Sequence, residues 1–76
     1  MKKIFLIDKG RCTDEELKSM SEHDLDEWAA NENYAEDYTI MEIYPQINDT
    51  IETAICRNMG KFWWDNYRND VHIIVY

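Results

Sequence analysis

Seventy-six residues, 45% apolar and 32% charged with a formal net charge of −8, leave room for one domain, residues 1–76. A doubly wound nucleotide-binding fold and a TIM barrel are too long to fit. The 13% aromatic content argues against intrinsic disorder, and the acidic balance argues against direct nucleic-acid binding, because like charges repel.

The chain opens M-K-K-I-F-L-I-D, two lysines and a four-residue apolar run closed by Asp8. A signal-peptide core takes about 7–15 apolar residues and a membrane-spanning helix about 20. A cytoplasmic protein without membrane contact is therefore expected, with Cys12 and Cys56 as reduced thiols. Lys2–Asp8 reads as a strand that ends before Gly10.

Residues 14–37 hold ten carboxylates against the single Lys18, so nearly the whole charge imbalance lies in one segment. That segment reads as helix. Thr13 with Glu16 is a capping-box pair, and Ser21 with Asp24 marks a second start. Leu25, Trp28 and Ala29 recur at helical spacing, with Leu17 and Met20 extending the stripe. Two helices are predicted, at about 14–19 and 22–32, fused or separate.

Tyr38–Tyr44 alternates, with Thr39, Met41 and Ile43 on one side, and Pro45 ends the strand. Residues 49–59 carry conflicting signals. Asp49 with Glu52 and the stop at Gly60 favour a helix. Ile51, Thr53 and Ile55 alternate at period two in a strand-prone composition, and the strand is the reading favoured here. Residues 58–61 would then form a hairpin loop into a strand over Phe62–Tyr67. Val71–Tyr76 is a further apolar strand, expected like the first at a central position in the sheet, covered on two sides or by a partner chain.

The stretches K-K-I-F-L-I-D and D-E-E-L-K-S-M-S-E-H-D-L-D-E-W-A-A-N-E resemble short uncharacterised acidic proteins of gut anaerobic bacteria, which open with a similar strand and follow it with an acidic helix. The resemblance covers about the first thirty residues and leaves K-F-W-W-D-N-Y outside it. It implies a small α+β domain and supplies no catalytic residues.

Chemistry-bearing motifs are sparse. With two glycines in the chain there is no phosphate-cradling loop, and no C-x-x-C pair, nucleophile elbow or dinucleotide fingerprint is present. His23 and Glu27 at i, i+4 fall short of the four ligands of a structural metal site. Cys56, His72 and Asp70 are the one conceivable nucleophilic set, but Cys56 sits among core-like residues. No catalytic residue, metal or cofactor is expected.

Two surfaces stand out. The acidic one comprises Asp14, Glu15, Glu22, Asp24, Asp26, Glu27 and Glu32. The aromatic one comprises Trp63, Trp64 and Tyr67, the composition of an interface hot spot or a dimer contact. The expected fold is a small single α+β domain, with an antiparallel or mixed sheet that includes both terminal strands and acidic helices on one face. The expected function is a non-catalytic protein-interaction module with a protein partner, a basic one by charge, working as a homodimer. The alternative is a nucleic-acid mimic that inhibits a basic nucleic-acid-binding protein, by analogy of size and charge with small phage-encoded anti-defence proteins. If helical throughout, the ten carboxylates would space at about 3.6 Å, against ~3.4 Å per phosphate of one DNA strand. A small cysteine-dependent enzyme is a distant third.

Overall fold

Ile4, Phe5, Leu6 and Ile7 are all fully buried, which for a strand means both faces are covered. The computed structural model, which describes residues 1–32 and 39–76, places them in β1 (Ile4–Asp8), the central strand of a three-stranded antiparallel sheet. β2 (Ile40–Ile43) pairs along one side, Ile4 opposite Ile43 and Ile7 opposite Ile40. β3 (Val71–Val75) pairs along the other, Ile4 opposite Val75 and Asp8 opposite Val71. The fold is α+β, a single domain, with both terminal strands in the sheet.

Period-two alternation sends β1 side chains to two separate cores. Phe5 and Ile7 pack with Cys12, Leu25, Ala29 and Ile40 beneath α1 (Asp14–Lys18) and α2 (Glu22–Glu32). Ile4 and Leu6 pack with Ile43, Val71, Ala54, Ile55 and Trp64 beneath α3 (Ile51–Met59) and α4 (Lys61–Tyr67). The result is three layers, helix pair, sheet, helix pair, with the two acidic helices on one face as expected.

Local chemistry explains the helix starts. Thr13 Oγ1 accepts from Glu16 N–H while Glu16 accepts from Thr13 N–H, the reciprocal box read from sequence. Ser21 and Asp24 repeat the exchange at 2.9 and 3.2 Å and open α2. The two helices are separate, broken at Ser19–Met20.

Four expectations are corrected. Residues 51–59 are helix, not strand: the cap is Thr50 with Thr53, Ala54, Ile55 and Met59 meet the core, and Ile51 at the helix start is exposed. Residues 61–67 are also helix, so 58–61 is no hairpin loop. Gly60, at φ 92° and ψ 147°, ends α3 and begins α4 in a conformation reserved for glycine. β3 is an edge strand rather than a central one, with Ile73 and Val75 exposed. β2 begins at Ile40. Tyr38, assigned to that strand from sequence, lies outside the described residues, as do Glu36 and Asp37 of the acidic segment.

Candidate interaction surface

All the predicted acidic residues with a described side chain sit on the α1–α2 layer, but their situations differ. Lys2 Nζ lies 2.6 Å from Glu22, and Lys3 Nζ lies 2.6 Å from Asp26 and 2.7 Å from Glu42 of β2. Successive lysines thus reach successive turns of α2, offsetting the repulsion between Glu22 and Asp26 at i, i+4. The Lys3 side chain is only 12% exposed. Its hydrogen bonds to Asp26 and then Glu42 push its pKa up, and the same ammonium holds Asp26 below the usual carboxylate range. Tyr44 donates to Glu42 at 2.9 Å, which raises the phenol pKa. Asp24 is also depressed, chiefly by the Ser21 N–H it accepts from as a cap.

Three carboxylates are presented more freely. Asp14 and Glu15 have side chains 82% and 83% exposed, Asp14 beside His72 Nδ1 at 3.3 Å and Glu15 paired with Lys18 at 3.2 Å. Glu27 is 66% exposed, 3.1 Å from His23 Nε2. The Glu32 side chain lies outside the described residues. The sequence left open that the amino-terminal lysines neutralise part of the acidic segment, but not that Lys2 meets Glu22 and Lys3 meets Asp26, and it gave no sign of Glu42 and His72 as members of this surface. The only available signal was that the basic N-terminal cluster has Glu22 and Asp26 as an i, i+4 acidic stripe to meet.

The aromatic residues are on the opposite layer, so the two surfaces are not brought together. Trp64 is core, with Arg68 stacked at 5.4 Å, and its indole Nε1 has no hydrogen-bond partner among the described residues. Trp63 is half-buried against the exposed Tyr67, ring centroids 5.3 Å apart at i, i+4, while Phe62 points to solvent. Helical rather than strand geometry decides this: Trp63 and Trp64 stand about 100° apart instead of on opposite faces.

The nucleophilic set is not assembled. Cys56 packs against the α3–α4 core, whereas His72 Nε2 lies 2.7 Å from the Cys12 carbonyl on the other side of the sheet. Cys12 is buried, and burial pushes its thiol pKa up, away from the reactive thiolate. Among the described residues no three histidine, cysteine or carboxylate side chains converge as a metal site, and no helix is long and apolar enough to cross a membrane. Comparison with protein-family models, with curated proteins and with solved structures finds no match.

Proposed function

We propose that the chain is a non-catalytic protein-interaction module whose recognition surface is the α1–α2 layer, taking a basic protein segment as its partner. The observation that carries this reading is the charge asymmetry between the two helical layers. From Asp14 to Glu27 one layer holds seven carboxylates against Lys18, whereas from Asp49 to Asp70 the other holds four against three bases. Both layers have the same structural task, to cover one face of one sheet, so sheet coverage alone gives no reason for the imbalance. An acidic face steers a basic partner and raises its association rate.

Charge mimicry of a nucleic-acid strand has less support. It needs a regular row of free carboxylates, and Glu22 and Asp26 are engaged by lysines while Asp24 serves as a cap.

The test reverses charges that neither cap nor pair with the N-terminal lysines, Glu15→Lys with Glu27→Lys. Wild type and variant are used to capture partners from the native host, with identification by mass spectrometry. A basic partner retained by wild type, lost by the folded variant and released as ionic strength rises is the expected result. Retention by both proteins overturns the reading.

A further inference from the structure

Hydrogen-bond direction shows which backbone groups of β3 are unused by the sheet. Lys3 and Tyr76 exchange both bonds, Lys3 N–H to Tyr76 at 3.1 Å and Tyr76 N–H to Lys3 at 2.9 Å, and Lys9 N–H reaches Asp70 at 3.0 Å. Antiparallel pairing alternates, so Asp70, His72, Ile74 and Tyr76 turn their N–H and C=O groups toward β1. Val71, Ile73 and Val75 turn theirs outward, where no further strand pairs with β3 among the described residues.

The sheet's two edges are treated differently. β2 has four residues, carries the charged Glu42 and is followed by Pro45, features that discourage strand addition. β3, V-H-I-I-V, has no lysine, proline or glycine, and leaves Ile73 and Val75 exposed at 39% and 38%. Beside it runs an open groove of about 400 Å³ between β3 and α1, lined by Asp14, Leu17, Lys18, His72, Ile73 and Ile74.

The order of residues along this edge indicates what covers it. Positions 71, 73 and 75 read Val, Ile, Val, the same in either direction. We propose that β3 pairs with β3 of a second copy about a two-fold axis at Ile73, making a continuous six-stranded antiparallel sheet. Ile73 faces the partner's Ile73, and Val71 faces the partner's Val75, with about six backbone hydrogen bonds formed by the outward groups. On the other face His72 lies opposite the partner's Ile74, beside the groove, so no like charges stand directly opposed. A shift of register leaves outward groups unpaired at both ends. The two-fold axis is normal to the sheet, so both acidic layers lie on one face of the dimer. The inference rests on the β3 edge alone and is independent of the partner proposed for the α1–α2 layer.

Sedimentation equilibrium of the wild-type chain at low and high salt tests it, with amide hydrogen exchange as the residue-level readout. The expected mass is twice 9.2 kDa. Association is expected to tighten as salt rises, because the copies bear −8 each. Amide exchange at Val71, Ile73 and Val75 slows as protein concentration rises, while His72 and Ile74, already bonded to β1, stay unchanged. Ile73→Lys sets two ammonium groups face to face at the axis and weakens association at least tenfold. Should that variant misfold by circular dichroism, the wild-type exchange pattern still decides. A monomer at both salts overturns the proposal, including one that binds only an unrelated apolar peptide. A dimer whose amides at 71, 73 and 75 ignore concentration overturns it as well.

Discussion

Lys3 Nζ stands 2.6 Å from Asp26 and 2.7 Å from Glu42, one cation serving two carboxylates from different layers of the fold. Replacing it with methionine leaves those carboxylates close together without the ammonium that bridges them. The melting temperature of Lys3→Met is therefore expected to fall below wild type near neutral pH. The gap should narrow as pH drops through the carboxylate range, since protonating Asp26 or Glu42 relieves the repulsion. A gap constant with pH would mean that Lys3 acts by packing over Phe5 and Tyr44, whose ring centroids lie 5.5 and 5.7 Å away. Asp49 provides the complementary case. It accepts from Arg57 at 2.7 Å and from Gln46 N–H at 2.7 Å, and the Arg57 guanidinium foremost lowers its pKa to about 2. A depressed carboxylate contributes stability that is fully present above its unfolded value near ~3.9 and lost as pH falls toward about 2. Asp49→Asn should therefore lower stability most above ~3.9, with the difference from wild type closing as pH falls toward about 2, read by unfolding as a function of pH.

The helix caps are where the sequence was most legible at the scale of elements. Thr13 with Glu16 and Ser21 with Asp24 were readable because a capping box is a short-range exchange between residues three apart. The same device, Thr50 with Thr53, opens α3, yet the composition of T-I-E-T-A-I-C favours a strand. Its β-branched residues alternate at period two, and Thr at the third helical position is a weaker signal than Glu. The deciding fact is tertiary: Ala54, Ile55 and Met59 meet the sheet along one helical stripe. Edge placement of β3 was illegible for a related reason, because apolar composition alone does not say whether a strand has a neighbour on one side or on both. Of the candidate surface, the location of the carboxylates was readable and their lysine partners were not, since Lys3 and Asp26 lie 23 residues apart. Two substitutions test the helical assignment of 51–67. Thr50→Ala should cost about 1 kcal/mol in urea unfolding through loss of the cap. Gly60→Ala meets no atom within 4 Å, so its cost of about 1–3 kcal/mol is backbone strain at φ 92° alone. A hairpin at 58–61 would instead leave Thr50→Ala near neutral.

Across the whole molecule two ranges of electrostatics compete. Contact pairs such as Lys2 with Glu22 act at 2.6 Å and lie well inside any screening length. Repulsion among the remaining carboxylates of the α1–α2 layer acts over the breadth of a molecule measuring 29 × 25 × 24 Å. The Debye length is about 30 Å at 0.01 M salt and about 10 Å at 0.1 M, so this interval screens the repulsion and spares much of the pairing. Thermal stability is therefore expected to rise as salt increases from 0.01 to 0.1 M. The comparison is made at protein concentrations low enough that self-association adds nothing to the apparent melting temperature. In the Glu15→Lys, Glu27→Lys protein, which lowers the layer's charge without touching a cap or an N-terminal lysine, the rise should shrink. A melting temperature that falls with salt in wild type would mean that the lysine pairs outweigh the repulsion. The acidic layer would then be internally compensated, with little field left to draw a basic partner.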